Sequence, residues 1–243
     1  MSNVNQFSFG DGDTGIGGKV KPWKAEANRT YRLSFMWWKG TEIGKPDLDG
    51  VAPQFAGANT NYIKGVGHII NEGPEHTKVA GEAPKMRIAT IIAVWPTSKD
   101  GNLDKSGLAR GDIEVLPWVI SGDKFTLLKN LNKEFAFGSH DFTATCSDAG
   151  YQSMTFTPCK ESLLRTMIAN PKAEEIVNAM LAKGQEVLST INDHVGRKMS
   201  PDAIRTKTGI SGGGSSSGGG SGPSVETMST GDIDSMVDSL LDS

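Results

Sequence analysis

Residues 211–222 of this chain are all Gly or Ser, and that run decides how much of it can fold. Gly and Ser bury no apolar surface, so the segment is read as a flexible tether. With Pro223 and Ser224 it forms a linker over 211–224, between a body at 19–210 and a tail at 225–243. The body is long enough for one domain with its own core. Residues 1–18 hold no Lys or Arg and no long apolar run, so they are read as a flexible arm and not a signal peptide.

The tether also separates two kinds of charge. The formal net charge is −3, but Glu226, Asp232, Asp234, Asp238 and Asp242 lie beyond residue 210 with no basic residue among them. Without those five, 25 basic residues face 23 acidic ones, a net of +2. Such asymmetry between segments points to partners. In the tail, Ile233, Met236, Val237, Leu240 and Leu241 recur at helical spacing, with Asp234, Asp238 and Asp242 on another face. Ser229 and Asp232 resemble a capping box. A helix this short is marginal alone and is expected to order on a partner protein, with Asp232 to Asp242 as its contact residues.

The body reads as strands first and helices afterwards. Arg29–Trp38 alternates, with Tyr31, Leu33, Phe35 and Trp37 on one face and Arg32, Ser34, Met36 and Trp38 on the other. Met86–Trp95 reads as a buried strand, and Asp112–Ile120 as another, with Pro117 arguing for an edge or a bulge. Asp141–Ser147 and Tyr151–Thr157 read as a hairpin around Asp148-Ala149-Gly150, pairing Phe142 with Phe156 and Ala144 with Met154. Lys124–Phe135 is expected to be a helix between strands. Asn170 and Pro171 are expected to open a later helix that Gly184 bends or splits. Gly40–Glu82 is expected to be a loop insertion, with a possible strand over Asn61–Ile70. Strands around one inserted helix, with helices after them, suggest a mainly β fold built on a five-stranded OB-type barrel.

Chemistry is sparse in this sequence. Gly10–Lys19 is rich in Gly but lacks the spacing of a phosphate loop, because Asp13 stands where Gly is needed and Val20 follows Lys19. A calcium loop from Asp11 would need an acid where Pro22 stands. The two cysteines, Cys146 and Cys159, and the four scattered histidines offer no zinc spacing, so no metal or cofactor is expected. So few cysteines suit a reducing cytoplasm, and no stretch is apolar enough to span a membrane. No catalytic motif is found, and the protein is not expected to be an enzyme.

One segment stands out. Lys19–Lys39 holds six basic residues, one acid and five aromatics, including three of the five tryptophans. Basic groups neutralise phosphates and release counterions. Aromatic faces stack on any base, so binding need not depend on sequence. Lys19, Lys21, Trp23, Lys24, Arg29, Arg32, Trp37, Trp38 and Lys39 are therefore the main candidates for contact with single-stranded DNA. The same aromatics would also serve as core and the lysines as a solvated rim. Tyr62, Lys64, His68, Lys85 and Arg87 are secondary candidates beside the insertion.

In order along the chain, four stretches resemble the replication single-stranded DNA-binding proteins of tailed phages, of the T-even helix-destabilising type. They are Trp23-Lys24 with Arg29–Phe35, Arg87–Val94, Phe142–Pro158, and the Gly/Ser linker ending in Asp238–Asp242. The resemblance implies an OB-fold core, sequence-independent binding in DNA replication, recombination and repair, and an acidic tail that recruits partner proteins. There are two departures. The T-even type holds zinc in an inserted subdomain, whereas Gly40–Glu82 has no cysteine. The basic N-terminal arm used for self-association is also missing. An OB-type module for RNA or protein remains the alternative.

Overall fold

The most apolar strand of the sequence is also the hub of the structure. The architecture is drawn from a computed structural model, which describes residues 20–36, 55–147 and 153–209. Strand β4, Lys85–Trp95, is buried on both faces from Ile88 onward. One of its edges carries two strands end to end. β1, Arg29–Phe35, pairs with the second half of β4 (Phe35 opposite Ile92), and β2, Ala56–Ile63, pairs with the first half (Ala56 opposite Ala89). The other edge carries β5, Glu114–Ser121. β3, Gly67–Ile70, forms a hairpin with β2. β6, Phe142–Cys146, lies along the far side of β1, and β7, Met154–Pro158, lies outside β6. The result is a seven-stranded antiparallel sheet, ordered β3-β2-β4-β1-β6-β7 with β5 on the other edge of β4.

Period-two alternation divides the apolar residues between two cores. Tyr31, Leu33, Phe35, Ile88, Ile92, Val94, Trp118 and Phe142 pack together under helix α3, Gly122–Glu134, which contributes Leu128. On the opposite face, Met36, Ala89, Ile91, Ala93 and Trp95 are covered by α4 (Leu163–Ile168), α5 (Glu174–Ser189) and α6 (Ile191–Val195). A third, smaller cluster joins Ile63, Val66 and Ile69 to Ile204 of α7, Pro201–Thr208, beside α1, Pro74–Ala80. The remaining α-helix among the described residues is α2, Lys105–Arg110, capped by the Asp104 side chain on Ser106 N.

Several expectations need correction. Gly40–Glu82 is not all loop: from residue 55 on it supplies β2, β3 and α1. The single strand expected over Asn61–Ile70 is a hairpin, because Gly65 and Gly67 take φ of 81° and 101° and turn the chain. The late hairpin pairs Phe142 with Pro158 and Ala144 with Phe156, two residues away from the expected register. A slip of two keeps the same side chains on the core face, so alternation could not distinguish the registers. Gly184 does not split α5, which continues to Ser189; the break falls at Thr190. Gly184 is buried within the helix. The Pro117 expectation holds. Ile91 turns its carbonyl toward Met36 N at 3.0 Å, so its partner Pro117 faces away from β4 and needs no N–H for the ladder.

A buried polar hub ties β1 to the helices. Asp141, fully buried, accepts from Ser34 Oγ, from Arg32 Nε at 2.9 Å and from Leu163 N at 2.9 Å. Ser34 Oγ in turn accepts from Trp95 Nε1 at 2.7 Å. Burial pushes the Asp141 carboxyl above the ordinary aspartate range, against the opposing pull of these bonds. No helix among the described residues is long and apolar enough to cross a membrane.

Candidate nucleic-acid interface

Helices α5 and α6 cover the outer face of β4 only where it is apolar. At its start the same face turns polar. Thr60 of β2 lies opposite Lys85 and Ala58 opposite Arg87, while Tyr62 lies opposite His68 of β3. Partners across a ladder share a face, so Tyr62, His68, Lys85 and Arg87 all point to one side. Tyr62 is 56% exposed, the most exposed of the large apolar side chains described. Its ring centroid lies 5.1 Å from that of His68. Lys64 stands exposed in the turn between the two strands, and Lys85 is exposed as well.

Arg87 is the unusual member of this group. It is partly buried, and its Nε has no hydrogen-bond partner among the described residues. Nor does it form an ion pair with any described carboxylate. Burial pulls its pKa down. A desolvated guanidinium without a counter-charge costs free energy, and an anion would offset that cost. His68 sits in the same field: burial first, then the nearby Arg87 charge, lower its pKa, with Glu82 acting weakly in the opposite direction. Its Nδ1 is buried without a hydrogen-bond partner among the described residues. The chain leaving α6 crosses this face. A Cβ on Gly196 would stand 3.3 Å from Ile70 and Thr60 side-chain carbons, and Arg197 exchanges backbone bonds with His68 and Ile70 at 3.0 and 2.9 Å. This crossing adds exposed Arg197 and Lys198. Neither was singled out from the sequence, where the only signal was the adjacent pair Arg197-Lys198.

The primary candidates fare differently. Trp23 is 6% exposed. Its ring meets Tyr31 and Trp118 edge-on at 5.2 and 5.5 Å, and its backbone N–H donates to the Pro117 carbonyl at 2.8 Å. Its role as a stacking platform is therefore corrected: it belongs to the core, with no face left for a base. Arg32 is corrected too. Its side chain is 15% exposed and bonds Asp141 and the Glu161 carbonyl. Expected on an open face with Trp38, it lies on a β1 face closed by Ser34, Asp141 and Met36. Arg29 bonds Glu26 at 2.9 Å and stacks over Tyr31 at 4.8 Å. The Glu26 bond is the main cause that raises its pKa.

Lys21 and Lys24 are exposed, but they flank Trp23 at the outer edge of β5. The Tyr62 group lies across β4, on the β2 side, so the structure divides the candidates into two groups. Lys19, Trp37, Trp38, Lys39 and the tail residues Asp232, Ile233, Asp234, Met236, Val237, Asp238, Leu240, Leu241 and Asp242 lie outside the described residues. Among the described residues no three His, Cys, Asp or Glu side chains cluster as a metal site. No family model, curated protein or solved structure matches this chain.

Proposed function

We propose that this protein binds single-stranded DNA without reading its sequence, acting in phage DNA replication, recombination and repair, and that its acidic tail recruits protein partners. The observation that carries the reading is the exposed Tyr62 ring on one sheet face with Lys85 and an Arg87 that lacks a counter-charge among the described residues. Stacking on Tyr62 is indifferent to base identity. Lys64, Lys85 and Arg87 supply phosphate contacts that are equally indifferent. The protein works by binding and needs no cofactor. Cytoplasmic DNA of an infected host is the setting this function calls for.

The strand order supports an OB-type core. β1, β4 and β5 form a meander, α3 follows β5, and β6 then returns beside β1 with β7 outside it. That is the order of an OB barrel, with β2, β3 and α1 inserted between its first two strands. The helices covering β4 and β5 displace the binding face toward that insertion.

Fluorescence anisotropy with oligothymidine at several salt concentrations tests the proposal. Binding should weaken steeply with salt, and Tyr62→Ala or Arg87→Gln should weaken it at each concentration. Equal binding by both variants would move the site elsewhere. An RNA oligomer of the same length, if preferred over DNA, would favour the RNA-binding alternative.

A further inference from the structure

His68 has a place in this face that the single-strand reading does not yet use. It is the cross-strand partner of Tyr62, and its ring lies against the tyrosine. We propose that His68 is a phosphate ligand of the strand-binding face, its imidazolium bonding the phosphodiester that adjoins the base stacked on Tyr62. The proposal rests on the single-strand reading of the same face.

The surroundings of His68 set the condition for this bond. Tyr62 faces it from β2, and Arg87 and Lys85 share its face from β4. Helix α6 carries Asp193 and His194, and the segment leaving it brings Arg197 and Lys198, with Arg197 N bonded to the His68 carbonyl. Glu82 is the carboxylate that acts on the ring. In the free protein, burial and the Arg87 charge lower the His68 pKa and so favour the neutral imidazole. A phosphodiester laid on this face reverses the second influence. It neutralises Arg87 and places a negative charge beside the ring, so the bound complex favours imidazolium. Binding a strand therefore takes up a proton on His68. The sign follows: a group whose pKa rises on binding strengthens the complex as pH falls toward its free-state value. That strengthening is lost as pH rises through the bound-state value.

Oligothymidine titrations of the full chain, run from about pH 5.5 to about pH 8, cover the range in which histidine is the side chain that ordinarily titrates. Affinity should fall as pH rises, by at most about tenfold per pH unit, the limit for one linked proton. His68→Gln should flatten the profile. Proton NMR of the four histidines gives an independent reading on the wild-type chain. The His68 titration midpoint should move up when oligothymidine is added. Binding that ignores pH, a pH dependence that survives His68→Gln, or an unmoved His68 midpoint would overturn the proposal and leave the single-strand reading standing. No binding of oligothymidine at any pH would overturn that reading, and the proposal with it.

Discussion

Arg32 separates the structural and the sequence-based placement of the binding site. As a phosphate contact it would contribute to the salt dependence of binding and little to stability. In the structure its guanidinium is the cationic partner of a fully buried carboxylate, Asp141. Replacing it by methionine keeps much of the stem and removes the charge. Breaking a buried pair by deleting one partner costs ~3–5 kcal/mol, because the other charge is left uncompensated. Here the low end, about 3 kcal/mol, applies, since Asp141 keeps its bonds from Ser34 Oγ and Leu163 N. With a urea m-value of about 2–3 kcal/mol/M for a domain of this size, the midpoint should fall by about 1 M. Matched titrations should show the salt slope of oligothymidine binding unchanged, whereas Arg87→Gln should reduce it by about 0.7, the share of one phosphate on a single strand. A stable Arg32→Met protein with a shallower slope would refute the assignment and return Arg32 to the DNA.

Three further outcomes are expected. Tyr62→Ala should weaken oligothymidine binding by ~1–3 kcal/mol while leaving the unfolding free energy measured in urea within about 0.5 kcal/mol, because the ring is mostly exposed; a large loss of stability would mean that the ring is structural. Asp141→Asn should be compared with the wild type by urea unfolding across the acid range. The Asp141 pKa is raised on folding, so the wild type gains on the non-titrating variant as pH falls through the folded value toward the ordinary aspartate value, and the gap is then constant; a gap that narrows on acidification would mean that the ion pair outweighs burial. Truncation after Ile210 should tighten binding at low salt, since a tether of about a dozen residues reaches roughly 20 Å and lets the acidic tail compete with phosphate; weaker binding by the truncated chain would place the tail on the side of affinity.

Local pattern determined a good deal of this protein. The alternation expected over Arg29–Trp38 and the continuous apolar run of Met86–Trp95 are patterns that neighbouring residues carry among themselves, and strands stand there at Arg29–Phe35 and Lys85–Trp95. Pro117 marked an edge because its missing N–H has the same consequence in any sheet. The secondary candidates Tyr62, Lys64, His68, Lys85 and Arg87 were visible as residue types near an insertion. What they lacked was a common face, and that depends on ladders linking residues 58, 60 and 62 to residues 87, 85 and 68.

Tertiary pairing decided the rest. Whether Trp23 is a platform or core depends on Pro117 and Trp118, which lie far along the chain, and on a backbone bond that no local pattern encodes. Arg32 reads as a phosphate contact until Asp141, 109 residues away, is brought beside it. The late hairpin could slip by two residues without changing which side chains face the core, so the local pattern could not fix its register. A residue's type and the face it occupies follow from its immediate neighbours. Its partner, and hence whether its charge or ring remains free for a ligand, is decided only when distant segments meet.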